Sequence, residues 1–314
     1  MSQPDTATAA RLSTTSEGLW LTAALCNVAK LPPALKIRPI GSVQATITDH
    51  PGIEALENAG ICGGGVVDPD VAAWVTTLGR PDIEVDVVVT RREMPADRLA
   101  GPPAIFAAPD DAVAAAEALA QWHAQRPPQR VVALCRRDNT WVAAARLWSP
   151  GHDGCDDVVV SPVNGDDIAQ VVIDALGPAD PARFHGINSE AAALATALTT
   201  WQANPNIDIV TSLVERVGLS VPQARVVEAS ADDGATRAAI TATQFSIDGP
   251  ALAPHAVTVA DTTLGRVVVS TTVGPDGRKW TTLLPGSEAA IRTAAIELLE
   301  TLPSGLNWRT HQRT

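Results

Sequence analysis

An internal repeat is the sequence feature that most constrains how this chain can fold. A short segment at the end of a predicted strand and the start of a predicted helix recurs at a constant offset of 123 residues. The matching positions are Pro162, Ile168, Ile173, Asp174 and Leu176 in the first copy and Pro285, Ile291, Ile296, Glu297 and Leu299 in the second. The order of the predicted strands and helices repeats as well. The sequence therefore predicts an internal duplication into two related halves.

Each predicted half is an α+β unit. Residues 82–90 alternate apolar and polar side chains, which is the period of a strand with one buried face. Apolar runs at 131–136 and 140–148, joined by a turn at Asp138 and Asn139, predict an antiparallel hairpin. Too few strands are joined by crossover helices for a doubly wound fold. Two such halves place their strands in one sheet or in two adjoining sheets, with helices covering the faces.

The expected boundaries follow from local composition and from the repeat. Residues 1–15 are small and polar without periodicity, which indicates a flexible lead-in. The first half covers residues 16–180 and contains a long, proline-rich insertion at 91–130. The second half covers residues 181–308, and a short C-terminal tail, 309–314, follows it.

Helix start signals are clear at two places. Ser16 is suited to cap a helix that runs to about Ala29. Asp68 is suited to the N-cap of another helix, with Pro69 at its first position. The apolar face of that helix consists of Val71, Trp74, Val75 and Leu78. A tryptophan on such a face predicts core packing rather than ligand stacking.

The charge balance excludes several classes of partner. The chain has 23 basic and 35 acidic residues, a net charge of −12, so it repels nucleic acid and anionic membrane surfaces. No apolar run approaches the roughly 20 residues that a membrane-spanning helix needs. Four cysteines without C-x-x-C spacing indicate a reduced compartment. We therefore expect a cytoplasmic protein without nucleic-acid binding or membrane insertion.

The sequence contains no convergent catalytic, cofactor or metal motif. Residues 151–157, which include His152 and Cys155, are better explained as a glycine- and aspartate-rich turn than as a metal loop. The three glycines at 63–65 lack the preceding strand and the following Lys-Ser/Thr pair of a phosphate-binding loop, which favours a flexible loop. We therefore predict no catalytic residue, no cofactor and no metal, and a protein whose function is a binding surface.

Several short segments, in order along residues 13–313, point to one protein family. They are TTSEGLW at 14–20, PALKIRP at 33–39, GRVVVS at 265–270, LPGS at 284–287 and LPSG at 302–305, followed by Trp308. In order and spacing they resemble the EspG family, the secretion-associated chaperones of mycobacterial type VII (ESX) systems. The resemblance implies a cytosolic chaperone that binds the exposed hydrophobic helical tip of the PPE subunit in a PE/PPE heterodimer. Such a chaperone keeps the pair soluble and delivers it to its secretion system.

The resemblance also implies a fold and a contact region. The family fold is a pseudo-twofold pair of α+β halves around a central, largely antiparallel sheet with flanking helices. The partner contacts the central sheet, the loop after the second strand and the helical bundle of the second half. In this chain the loop corresponds to residues 91–130 and the bundle to roughly 190–228. The loop is longer and more helical here than the family pattern.

A helical tip docked on such a surface needs an apolar centre and a polar rim. The candidates for the centre are Met94, Leu99, Ile207 and Val210, and those for the rim are Arg91, Arg92 and Arg98. Each has an ordinary alternative, because Val210 can belong to the core and the arginines can be solvated loop charges. We expect one chaperone for each PE/PPE pair, a 1:1:1 complex, and leave weak self-association open.

Two other functions remain open at this point. An enzyme with an unrecognised small-molecule site would have a deep polar pocket that contains His152 or His185. A structural subunit of the secretion machinery, or a self-assembling protein, would form a stable homo-oligomer without affinity for PE/PPE pairs. A secreted substrate is disfavoured, because such substrates resemble one another in W-x-G and Y-x-x-x-D/E signals. None of the eight Trp residues here is followed by x-Gly, and the chain has no Tyr.

Overall fold

The structure, a computed structural model, describes residues 11–37, 47, 50–90, 114, 129–148, 157–204, 206–232 and 234–313. Its strands are Leu12–Thr15 (β1), Cys62–Gly63 (β2), Val66–Val67 (β3), Ile83–Thr90 (β4), Gln129–Arg137 (β5), Thr140–Trp148 (β6), Asp157–Val163 (β7), Ile187–Glu190 (β8), Thr236–Ser246 (β9), Gly249–Leu252 (β10), Val257–Thr262 (β11), Gly265–Val273 (β12) and Lys279–Pro285 (β13). Its helices are Ser16–Leu25 (α1), Gly52–Asn58 (α2), Pro69–Gly79 (α3), Ile168–Leu176 (α4), Ala191–Ala203 (α5), Ile209–Ser212 (α6), Val221–Ala231 (α7) and Glu288–Glu300 (α8). A π-helical turn, Leu213–Val217, continues α6, and 3₁₀ turns lie at Pro33–Leu35 and Gly305–Arg309.

Eleven of these strands form one sheet, in the order β1-β7-β6-β5-β4-β9-β11-β12-β13-β8, with β10 beside β9. The pairings between these strands are antiparallel. Outward from the central β4–β9 pair, strands β5, β6, β7 and β1 on one side match β11, β12, β13 and β8 on the other. Each half begins with its edge strand, reaches its central strand through helices and then returns outward strand by strand. The predicted α+β duplication around a central antiparallel sheet is confirmed.

The repeated segment of the sequence lies where β7 leads into α4 and where β13 leads into α8. Gly177, with a φ of 77°, ends α4, and the Ser287 side chain caps α8 by accepting a hydrogen bond from the N–H of Ala290. The two helices lie side by side on one face of the sheet. Their apolar residues, including Ile168 and Ile291, join strand residues from both halves in one core cluster. On this face the two halves therefore share a single core.

The opposite face of the sheet carries two separate helical layers. Helices α1 and α3 cover a first-half core that includes Leu19, Val75 and Val158. Helices α5, α6 and α7 cover a second-half core that includes Leu213 and Leu283. The two layers do not share a core, so this face is divided where the other is continuous.

The predicted start of α3 is confirmed. The Asp68 carboxylate accepts hydrogen bonds from the backbone N–H groups of Asp70 at 2.9 Å and Val71 at 3.2 Å, and Pro69 occupies the first turn. This cap satisfies two of the backbone donors that a helix start leaves free. The predicted face is buried, with Val71, Trp74, Val75 and Leu78 all in the core.

Helix α1 differs from its prediction at both ends. Its N-cap is Thr15 and not Ser16, because the Thr15 hydroxyl accepts a hydrogen bond from the Gly18 N–H at 3.1 Å. The helix ends at Leu25 rather than near Ala29. Asn27 adopts a left-handed conformation with φ 55°, which terminates the helical geometry.

The prediction of a flexible lead-in over residues 1–15 is wrong for its last four residues, while residues 1–10 lie outside the described part of the chain. Leu12–Thr15 forms β1, which pairs antiparallel with β7, and Leu12 is buried in the first-half core. The pairing partner of Leu12 is Val160, which is far away in sequence. Local composition therefore gave no sign of this strand.

The predicted C-terminal tail, 309–314, is held in place up to Arg313. The buried Arg136 guanidinium donates hydrogen bonds to three backbone carbonyls, those of Trp308, Arg309 and His311. The Trp308 ring lies edge-on to Trp141, with ring centroids 6.3 Å apart, in the core shared by both halves. The end of the chain therefore closes this core.

Arg266 links the two halves of the molecule. Its almost fully buried guanidinium contacts both carboxylate oxygens of Asp261, at 2.6 and 2.8 Å. It also donates to the carbonyl oxygens of Gly177, at 2.8 Å, and Leu176, at 3.3 Å, at the end of first-half helix α4. Gly286 allows this close packing, because a Cβ there would lie 2.2 Å from Cγ of Arg266.

Replacing Arg266 with methionine removes the donor and leaves these acceptors unpaired. Because removing one partner of a buried ion pair costs about 3 kcal/mol, we expect Arg266→Met to lose that much unfolding free energy in urea titrations. Arg292→Met is the matched control, since Arg292 is an exposed residue of α8 whose guanidinium donates to Gln170. We expect the control to change stability by less than about 0.5 kcal/mol. Equal losses in the two variants would contradict this role for Arg266.

Candidate functional site

The candidate site is a strip in the middle of the sheet that none of the described helices covers, on the face that carries two helical layers. Helix α3 packs mainly on β5, β6 and β7, whereas α5 packs on β8 and β13 and α7 packs on β11. The two central strands, β4 and β9, lie between these layers. We call the strip the central window and define it by Asp86 and Val88 of β4, Ala239 and Thr241 of β9, and Thr258 of β11.

The strand register places these side chains side by side. Val88 is opposite Ala239, which is opposite Thr258, and Asp86 is opposite Thr241. Ala239 is exposed to solvent although it lies in a central strand of an eleven-stranded sheet, and the other four residues are only partly buried. The middle of this face is therefore accessible from outside.

The sequence of β9 explains why one side of the strand is open and the other is closed. Ala238, Ile240 and Ala242 point into the core under α4 and α8 and are buried. The alternating residues Ala239 and Thr241 are small and carry little apolar surface, so they do not require a helix above them. Farther out along the same row, larger apolar residues are buried under the two layers, namely Val131, Val158, Leu283 and Ile187. The window therefore has a smooth floor and helical walls.

A pair of carboxyl groups lies at the end of this floor where β4 begins. Glu84 and Asp86 are two residues apart on β4 and so point to the same face. Glu84 is 5% exposed and lies between Cys135 of β5 and Thr243 of β9. Residues 82–90 were predicted to have one buried face, but α3 covers the other face here, with the Leu78 carbonyl in contact with the Cys135 thiol.

Burial sets the protonation of this pair. Desolvation, together with the charge of Asp86 and a hydrogen bond between the two groups, raises the pKa of Glu84 to about 8. Desolvation raises the pKa of Asp86 to about 6, and the hydrogen bond from Glu84 partly offsets this. Near neutral pH, Glu84 is therefore protonated and donates to the Asp86 carboxylate. Among the described residues, the buried Oδ1 atom of Asp86 has no hydrogen-bond partner.

The residues predicted as partner contacts fall into two groups. Ile207 and Val210 are partly buried at the start of α6, next to the Asp208 N-cap, and Val210 packs against the second-half core. The side chain of Val210 therefore has both a core side and an accessible side. The other candidates, Arg91, Arg92, Met94, Arg98 and Leu99, lie outside the described residues. The window residues themselves were not predicted. The sequence signal for them is the alternation of small residues with buried ones in 237–243.

The described residues that the sequence offered as candidates for catalysis or ligand binding do not meet in one site. His185 is exposed and does not line the cavity described below, and His152 lies outside the described residues. The glycines at 63–65 form the turn of the β2–β3 hairpin, with left-handed Gly64 and Gly65, rather than a flexible loop. Within the part of the chain that the structure describes, no three His, Cys, Asp or Glu side chains are grouped to hold a metal ion. In the same residues, no helix is long and apolar enough to cross a membrane.

These features define a duplicated α+β protein with an open strip of sheet between two helical layers. The sequence model of the EspG family matches residues 15–296, and the chain therefore belongs to the EspG family. The earlier resemblance is confirmed.

Relatives and a solved structure agree with this assignment. The chain is 28% identical to the ESX-5 secretion-associated protein EspG5 of Mycobacterium marinum, over 95% of both chains, and equally identical to that of Mycobacterium tuberculosis. It is 24% identical to the ESX-2 secretion-associated protein EspG2 of Mycobacterium tuberculosis, over 96% of this chain and 99% of the relative. Its fold is similar to that of the Mycobacterium tuberculosis type VII secretion system chaperone EspG5, solved in complex with a PE25-PPE41 dimer. That likeness has a TM-score of 0.74 and 24% identity, and it covers 96% of this chain and all of the other.

The raised pKa of Glu84 predicts a pH-dependent stability. A carboxyl group with a higher pKa in the folded state holds its proton more tightly there, so its contribution is largest at low pH and is lost as the pH rises from about 4.5 to about 8. We expect Glu84→Gln to remove this loss, so that its stability relative to wild type increases by up to about 1.4 kcal/mol per pH unit. Urea unfolding between these pH values measures the difference.

The matched control is Glu288→Gln, because Glu288 is an exposed carboxylate in the first turn of α8. We expect its stability profile to run parallel to that of wild type. A parallel profile for Glu84→Gln as well would show that the buried pair does not titrate as described.

Proposed function

We propose that this chain is a chaperone of a type VII (ESX) secretion system that binds a PE/PPE heterodimer in the cytoplasm. It contacts the hydrophobic helical tip of the PPE subunit, forms a 1:1:1 complex, keeps the pair soluble and delivers it to the secretion machinery. Membership of the EspG family supports this proposal, as does the fold shared with EspG5, whose structure contains a PE25-PPE41 dimer. The net charge of −12 favours solubility in a carrier of hydrophobic cargo.

The observation that carries the proposal is the central window. A helical tip needs a docking surface with an accessible, largely apolar centre and a polar rim. The floor at Val88, Ala239 and Thr258 has short side chains, so a helix can approach the sheet closely. The two helical layers on either side supply walls for the flanks of a docked tip.

The second-half bundle extends this surface. Ile207, just before α6, and Val210, in its first turn, are partly exposed and are proposed contacts with the apolar part of the client. Arg91, Arg92, Met94, Arg98 and Leu99 are proposed contacts from the insertion. In this proposal the apolar residues contact the centre of the client tip and the arginines contact its polar rim, the arrangement typical of specific protein interfaces.

The proposed role is binding without catalysis. Burial and the neighbouring carboxyl groups raise the pKa of the Cys135 thiol well above its ordinary value, so the thiol beside Glu84 is a poor nucleophile. The Glu84 and Asp86 carboxyl groups lie below the floor of the window, where Glu84 is 5% exposed and the unpaired Asp86 oxygen is buried.

Co-expression with PE/PPE pairs from the same organism tests the proposal. We expect a soluble 1:1:1 complex with a subset of the pairs, detected by co-purification and light scattering. Ala239→Glu places a charge on the floor of the window, and we expect it to weaken binding at least about tenfold. Leu306→Glu is the control, because Leu306 is 78% exposed on the turn beside α8, near the opposite face.

The outcomes separate the function from its site. If no pair co-purifies with this chain while related chaperones capture the same pairs, the proposed function is wrong. If wild type and Ala239→Glu bind equally well, the function stands but the window is not the docking site. Thermal unfolding of both variants establishes that each is folded before binding is compared.

A further inference from the structure

A cavity of about 910 Å³ lies at the end of the sheet where β11 turns into β12. Its walls are the segment 179–183, the first turn of α7, the β11–β12 turn and the junction between β13 and α8. This volume falls within the range of ligand sites in proteins. The cavity does not belong to the central window.

The charges on the cavity walls leave an excess of positive charge. Arg266 and Asp261 neutralise each other through their two short hydrogen bonds. Arg183 and Arg225 are exposed, and neither forms a hydrogen bond or an ion pair with any residue that the structure describes. Asp180 is the remaining carboxylate on the described walls. Two free guanidinium groups therefore face this space in a chain whose net charge is −12.

The helices that border the cavity add to its positive potential. Pro222, in the first turn of α7, and Ser287, the N-cap of α8, both line it. Helix N-termini carry a partial positive charge that favours anions, although the effect is modest and screened by salt. It reinforces the two arginines but does not replace them.

The backbone under the cavity is packed tightly. The N–H of Ala182 donates to the Arg266 carbonyl at 2.9 Å, and the N–H of Arg266 donates to the Asp180 carbonyl at 2.7 Å. Gly265, with φ 108°, allows its segment to approach the backbone of Ala182 closely, because a Cβ at Gly265 would lie 2.7 Å from the Ala182 nitrogen. Arg183 therefore follows a segment that is held in place, which lowers the cost of ordering it around a ligand.

We infer that this cavity binds the carboxylates of an acidic peptide segment of the client, an inference that rests on the proposed function. Guanidinium groups pair with carboxylates through two parallel hydrogen bonds. Proline and leucine side chains of the lining, at Pro181, Pro222 and Leu264, suit a peptide with aliphatic residues next to its acidic ones. This mixed lining favours a peptide over free phosphate.

The cavity is within reach of a client that occupies the central window. Strand β11 runs from Thr258 in the window to Thr262 on the cavity wall, a distance of about 13 Å at about 3.3 Å per residue. Arg225 projects from α7, which belongs to the second-half bundle. One client can therefore place a helical tip in the window and an acidic segment in the cavity.

The test compares two double variants that change the net charge equally. Arg183→Glu/Arg225→Glu reverses both free cations of the cavity, whereas Arg278→Glu/Arg292→Glu reverses two exposed cations outside it. We expect the cavity variant to bind the co-purifying PE/PPE pair about tenfold more weakly than the control at about 50 mM salt. The difference should shrink at about 300 mM salt, because screening weakens exposed charge pairs.

The outcomes distinguish this inference from the proposed function. If wild type binds a pair and both double variants bind it equally well, the cavity inference is wrong and the proposed function stands. If wild type binds no pair, the proposed function fails. The free chain can then be titrated with a short polyglutamate peptide and with inorganic phosphate while the amide resonances of Leu264 and Gly265 are followed. Shifts with the peptide that the cavity variant abolishes support the site, and equal responses to phosphate overturn the peptide assignment.

Discussion

The antiparallel pairing of β4 with β9 is the constraint on which the rest of the structure depends. It joins the two halves through eight opposed residue pairs, from Ile83 with Gln244 to Thr90 with Arg237. On one face α4 and α8 bury the inner side chains of both strands in a shared core. On the other face each helical layer stays over the outer strands of its own half. The same pairing therefore makes the molecule one body and leaves its centre accessible.

This arrangement also determines where polar groups are buried. Glu84 lies where α3 still covers the sheet, next to Asp86 at the edge of the window. Its burial is tolerated because it keeps its proton and donates a hydrogen bond to the Asp86 carboxylate. Arg266 is tolerated inside the molecule because Asp261 and the carbonyls at the end of α4 satisfy it. The carboxyl pair therefore borders the central window, and Arg266 connects the two halves of the molecule.

Much of the fold could be predicted from local patterns, because its elements carry their own signals. The cap at Asp68, the strand at 82–90 and the repeated junction at Pro162 and Pro285 each depend on a few neighbouring residues and were predicted correctly. The prediction that the strand has one buried face did not anticipate the burial of Glu84 under α3. The features that were missed depend on distant partners. The strand that contains Leu12 forms only by pairing with the strand that contains Val160. Arg136 holds the end of the chain through its hydrogen bond to the distant Trp308 carbonyl. Ala239 is exposed because none of the described helices lies above it, and its small side chain alone does not establish this.

Photo-crosslinking from position 239 tests the central claim most directly, namely that the client docks on the open centre of the sheet. Ala239 is replaced by a benzophenone-bearing amino acid, the complex with a co-purifying PE/PPE pair is irradiated, and crosslinked subunits are identified by mass spectrometry. Leu306, on the turn beside α8, is the comparison position. We expect crosslinks to the PPE subunit from position 239 and none from position 306. Crosslinks from position 306 alone would contradict this claim.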